Sequence, residues 1–251
     1  MNSLDALNKK IDNAPKLDFG DIISDAIELF KVVWLKGFLV VLIIAGMAFG
    51  LSLVFQAIGL APDPYVFMNG IDIESFASYY SQNAIYSIPQ NIALSSITIA
   101  LLAAFYRICK QTVQGEKSDD DYFYYFKNGY FSKALMLGII YTAISTVAQM
   151  LLLLPYIYVM VPLSFFAIFF SNHPDLKEME IVKLSFALGN KKWFIAFGTI
   201  LVCFILGFLG IIGCFIGILF TISIAYLPVF LIYKQVIGFD NTSEIDLIGL
   251  E

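Results

Sequence analysis

Residues 193–233 carry no charged side chain, and neither do residues 134–174, two uncharged runs of 41 positions each. One α-helix of that length would extend about 60 Å at 1.5 Å rise per residue. The hydrocarbon core of a bilayer is only about 30 Å thick, or about 20 helical residues. Each run therefore crosses a membrane twice and must turn near its middle. The rest of the chain agrees: 251 residues are 59% hydrophobic and 14% charged, against about 25% charged in ordinary soluble domains. A soluble fold cannot hide that much apolar surface.

The turns have chemical markers. Proline cannot continue a helix without losing a backbone hydrogen bond, and Pro155 interrupts LLLLPYIY at the centre of the first run. Pro162 then begins or bends the returning helix. In the second run, FLGIIGCFIGILFT places Gly210 and Gly213 at the midpoint, where a tight turn needs residues that end a helix and tolerate positive φ. A looser pair of apolar stretches precedes these runs. The expected spans are about 38–59, 89–109, 134–154, 156–172, 193–211 and 214–234. The fold class is thus all-α, a six-span transmembrane helical bundle built as three hairpins. Residues 1–16 read as a polar tail without a signal-peptide core, 17–238 as the membrane domain and 239–251 as a C-terminal tail.

All 15 basic residues fall on one side of this arrangement. The outer segments hold only Asp63, Asp72 and Glu74. Lysine and arginine concentrate in short cytoplasmic loops, so both termini are expected in the cytoplasm. Each hairpin is preceded on that side by a stretch with amphipathic spacing: LDFGDIISDAIELFKVVWLK, SDDDYFYYFKNGYFSK and EMEIVKLSFALGNKKW. These read as three helices lying in the membrane interface, which makes the chain three copies of surface helix, span, span.

Candidate chemistry is sparse. Ionisable groups inside a membrane mark function, and the spans hold essentially none. The lone His173 reads as an interfacial loop residue. Asp119, Asp120 and Asp121 read as a helix cap after Ser118 rather than a cation site, because successive carboxylates do not converge on an ion. Cys109, Cys203 and Cys214 lack metal-ligand spacing and read as small buried apolar groups. Two spans carry uncharged polar stripes: Asn91, Ser95 and Thr98 in the second, Tyr141, Ser145 and Gln149 in the third. Such stripes serve as interhelical hydrogen bonds or as a polar pathway, and the lack of charge favours the first. Gly46 and Gly50 form a GxxxG in the first span, and Gly213 and Gly217 another leading into the last. Small residues let helix backbones approach in lipid, and use within the bundle is expected over dimerisation. The outer loop presents Phe76, Tyr79 and Tyr80 as a possible partner-contact surface. A net charge of −5 speaks against a nucleic-acid partner.

The chain also resembles a bacterial multi-spanning family that includes the membrane domain attached to some glycerophosphoryl diester phosphodiesterases, together with related integral membrane proteins. The likeness rests on DFGDIISDAIELFK near the start and on Lys183, Ser185 and Leu188 before Lys191, Lys192 and Trp193. It continues through the Gly210, Cys214, Gly217, Thr221 pattern to Tyr233 with Gly238. The resemblance implies a six-helix fold in a bacterial inner membrane and no enzymatic activity; no cofactor is expected. The expected function is a non-enzymatic structural or regulatory partner subunit that contacts membrane lipids and another membrane or periplasmic protein. The alternative is a transporter or channel for an uncharged or lipid-like substrate.

Overall fold

A computed structural model describes residues 3–60, 87–116, 120–127, 129–151, 153–213 and 217–239. The described residues form helices and short 3₁₀ segments, and six helical stretches are long and apolar enough to span a membrane: Phe19–Ala57, Ile88–Gln114, Tyr130–Met150, Leu154–Asn172, Trp193–Ile211 and Gly217–Val236. The protein is an all-α, multi-pass membrane protein.

In chain order the α-helices are α1 (Ser3–Asp12), α2 (Phe19–Ala57), α3 (Ile88–Gln114), α4 (Tyr130–Met150), α5 (Leu153–Ser164), α6 (Phe166–Asn172), α7 (Glu178–Lys191), α8 (Trp193–Phe208), α9 (Gly217–Thr221) and α10 (Leu227–Val236). The expected polar tail is partly a helix. Leu7 and Ile11 recur on one face of α1 and are buried, and α1 packs on α7. This apolar pair is too short to stand out among the lysines and aspartates that surround it.

The three expected surface helices are not equivalent. The first is no separate element, because α2 runs unbroken from Phe19 to Ala57. Nothing between Leu35 and Val40 stops a helix, and Asp18 caps the start by accepting from Gly20 N at 2.7 Å and Asp21 N at 3.1 Å. The second is a 3₁₀ turn, Tyr124–Phe126, followed by α4. Here Asp121 accepts from Phe123 N at 3.0 Å and Lys127 at 3.2 Å, while Asp120 pairs with Lys36 at 3.0 Å. The carboxylates thus organise a turn. The third is a true helix, α7, with Ile181, Leu184 and Leu188 buried against the bundle.

Helix α3 is the central post. Its buried face runs from Ser96 to Cys109, and it packs against α2, α4 and α6. Apolar burial between helices gains little in lipid, so close packing holds such a bundle together. Two contacts illustrate this. A Cβ on Gly138 of α4 would fall on the Ser96 hydroxyl and 2.7 Å from its backbone nitrogen. A Cβ on Gly37 of α2 would fall on the Ser223 hydroxyl and 2.6 Å from its Cβ.

The last hairpin also turns differently from the expected left-handed glycine. Among the described glycines, positive φ occurs at Gly59, Gly115, Gly129 and Gly238, not at Gly210. The chain instead tightens into a 3₁₀ segment, Leu209–Gly213. What position 210 requires is room: a Cβ there would meet the Thr221 hydroxyl and come within 2.6 Å of Gly217 O. Thr221 Oγ1 donates to Gly207 O at 2.5 Å and Gly217 O at 3.0 Å, tying the two arms together.

Candidate functional site: a cavity between two broken spans

Two spans are broken in their interior. The fourth breaks between Ser164 and Phe166, after Pro162. Pro155 lies in the first turn of α5, where a missing N–H does no harm, so the hairpin turn precedes it. Pro162 has no N–H for the carbonyl of Tyr158, four residues earlier. The Trp193 indole Nε1 donates to that carbonyl at 2.9 Å instead. The sixth span runs α9, then a 3₁₀ segment Ile222–Tyr226, then α10 with Pro228 in its first turn. The Tyr226 carbonyl is met by the Tyr106 hydroxyl at 3.2 Å. Non-α backbone inside a membrane persists only where protein or a cavity satisfies it.

Both breaks face one cavity of about 500 Å³, walled by α3, α4, α5, α6, α8 and the sixth span. Its polar groups are Ser95, Thr98, Tyr106, Tyr141, Ser164 and Tyr226. Apolar side chains make up the rest, among them Leu102, Met160, Leu163, Ile200 and Phe204. The lining offers hydroxyls and no carboxylate, amine or imidazole. Thr142 Oγ1 donates to Ser95 Oγ at 3.3 Å, which holds α3 and α4 together at the rim. Tyr141 is fixed edge-on to Phe166, with ring centroids 6.1 Å apart. This size lies within the usual range of small-molecule pockets, about 300–1,000 Å³.

The two polar stripes therefore divide. Ser95, Thr98 and Tyr141 meet in the cavity. Asn91 donates at 3.3 Å to Ser87 Oγ, at the cap of its own helix. Ser145 bonds back to Thr142 O at 3.1 Å. Gln149 lies half-buried near the end of α4, away from the lining. Neither Asn91, Ser145 nor Gln149 contributes to the cavity wall. Tyr106, Ser164 and Tyr226 were not anticipated. For Ser164 and Tyr226 the signal was a proline two residues away; Tyr106 had none.

The glycines also divide. Gly210 and Gly217 are in direct backbone contact. Gly213 closes the 3₁₀ segment. Gly46 and Gly50 correct the expected packing within the bundle: among the described residues, a Cβ on either would meet no atom within 4 Å. Their side of α2 faces outward because the helix packs on its neighbours through Ile22, Ala26, Val33, Gly37 and Val40. Phe76, Tyr79 and Tyr80 lie outside the described residues, as do Cys214 and Asp119.

Near the basic end, His173 Nε2 and the Tyr233 hydroxyl are hydrogen-bonded at 2.8 Å. Tyr125 donates to Ser171 O at 2.9 Å, and the Arg107 guanidinium lies 4.2 Å above the Tyr124 ring. Cys109 and Cys203 are buried thiols. Compared with protein-family models, curated proteins and solved structures, the chain matches none.

Proposed function

We propose that this protein is a non-enzymatic membrane protein that binds an uncharged, lipid-like molecule in its central cavity and moves it within the bilayer. The observation that carries this reading is the meeting of two broken spans at one cavity lined by hydroxyls. Discontinuous helices at a substrate site are a recurring transporter device, because unwound backbone supplies both polar contacts and hinges. The lining suits hydroxyl, ester or ether oxygens on an otherwise apolar body. It is poorly suited to an ion, which would need compensating charge. The confinement of all 15 basic residues to the segments on one side supports an orientation with that side in the cytoplasm. The resemblance to the phosphodiesterase-associated membrane domain supports a bacterial inner-membrane setting. A partner subunit remains the second role we assign to the outer aromatic loop.

The test uses the purified full chain in nonionic detergent and a photoactivatable diacylglycerol. Crosslinks mapped by mass spectrometry are expected at α3, α5 and the Ile222–Tyr226 segment. Thr98→Leu and Ala167→Leu, which fill the cavity, are expected to reduce that labelling at least several-fold. Labelling spread evenly over outward-facing residues and unchanged in both variants would overturn the reading.

A further inference from the structure

A second pocket, of about 480 Å³, lies where the chain leaves α7 and starts the fifth span. Lys16, Tyr158, Asn190, Lys191, Lys192, Trp193 and Phe194 line it. Residues far apart in sequence are brought here by backbone bonds. Lys191 Nζ donates to Asp12 O at 2.6 Å and Lys192 Nζ to Pro15 O at 2.5 Å. These contacts bring the segment after α1, and Lys16 with it, beside the start of α8. Tyr158 stacks on Trp193 with centroids 6.0 Å apart and donates its hydroxyl to Asn190 Oδ1 at 2.9 Å.

Among the described residues, the ion pairs join Lys31 to Glu28, Lys36 to Asp120 and Lys127 to Asp121; none reaches Lys16, Lys191 or Lys192. Each ammonium has three donors, and the backbone carbonyls take one from Lys191 and one from Lys192. Burial lowers the pKa of Lys192, and the neighbouring Lys191 lowers it further. An anion would relieve both effects. Next to this charge Phe194 is 86% exposed. An ammonium cluster beside a bare ring at the first turn of an apolar span belongs at headgroup level, where basic pockets between spans take anionic lipid headgroups.

We infer that this pocket binds the phosphodiester of an anionic phospholipid, with Lys16, Lys191 and Lys192 toward the phosphate and Trp193 and Phe194 along the acyl chains. The bound lipid joins the N-terminal segment to the fourth and fifth spans. This site is separate from the cavity and does not depend on what occupies it.

The experiment is native mass spectrometry of the delipidated full chain, titrated with phosphatidylglycerol or with phosphatidylcholine of the same acyl composition. Phosphatidylglycerol is expected to bind at least about fivefold more tightly, the size of one lysine contact at a membrane surface. Lys16→Gln removes an ammonium that holds no other segment among the described residues, so the fold should survive; it is expected to lose about fivefold. Lys31→Gln, whose partner Glu28 is on its own helix, should change nothing. Equal binding of the two lipids, or wild-type affinity in Lys16→Gln, would overturn the inference. So would glycerol 3-phosphate competing at the lipid's own affinity, which would mark a soluble-phosphate site. Ala167→Leu should leave phosphatidylglycerol binding intact. If it abolishes binding, the lipid sits in the cavity and the pocket assignment fails while the cavity reading stands.

Discussion

The Trp193 indole donates to the carbonyl of Tyr158, the acceptor that Pro162 leaves without an α-helical partner. A residue starting the fifth span thus repairs a break in the fourth. The pair is coupled by chemistry, so its energetics should be non-additive. Trp193→Phe keeps the ring and loses the bond, and should lower stability by about 1 kcal/mol. In a Pro162→Ala background the helix supplies its own donor, and the same change should have a much smaller effect. Thermal melts of the four variants in one detergent check this; equal effects in both backgrounds would refute the repair.

Tyr106→Phe removes the donor to Tyr226 O at the other break. Interhelical hydrogen bonds in membranes average about 0.6 kcal/mol, so the loss of stability should be of that order. Exchange of deuterium into the backbone of 222–228 should accelerate, since the 3₁₀ segment loses its contact with α3.

Glycines should behave according to contact, not motif. Gly37→Ala and Gly210→Ala place a Cβ against Ser223 and against Thr221 and Gly217 respectively, and both should lower the melting temperature clearly. Gly46→Ala and Gly50→Ala meet no neighbour within 4 Å among the described residues and remove a helix-weakening residue, so melting should stay level or rise. A loss at Gly46 equal to that at Gly37 would mean that α2 has a partner in solution.

Alkaline pH should weaken the fold through the turn before α4. Burial is the main cause holding Tyr125 at about 12, against smaller lowering effects from its Ser171 bond and Arg107. Burial, then Asp120, also raises Tyr122 to about 12. An unfolded tyrosine titrates near about 10. Between these values the unfolded chain releases protons that the folded chain keeps, so stability falls as pH rises. The contribution is complete below about pH 10 and lost through about pH 12. Melts at pH 9 and 11, compared with Tyr125→Phe, which has no proton to lose, measure it.

Sidedness can be read directly. In a background with Cys109, Cys203 and Cys214 replaced by Ala, cysteines at Gln56 and Glu116 should react with an impermeant maleimide from opposite faces of the membrane. These positions end the first span and follow the second, at opposite ends of the bundle. Labelling of both from one face would exclude the six-span arrangement.

Hydrophobic run length decided the class and the number of spans, because bilayer thickness translates length into crossings with little help from tertiary context. Prolines and glycines signalled where spans would bend. They did not say whether a position turns, breaks or merely admits a neighbour. Pro155 fits harmlessly into a first turn, whereas Pro162 breaks its span because Trp193 can take the freed carbonyl. Gly210 and Gly46 look alike in sequence, yet one touches a backbone and the other faces outward. The same holds for Ser95 and Ser145, equal members of polar stripes, of which only Ser95 reaches the cavity. Periodicity fixes which residues share a helix face. Which face meets another helix, a cavity or lipid depends on packing between segments distant in the chain, and only the tertiary structure decided it.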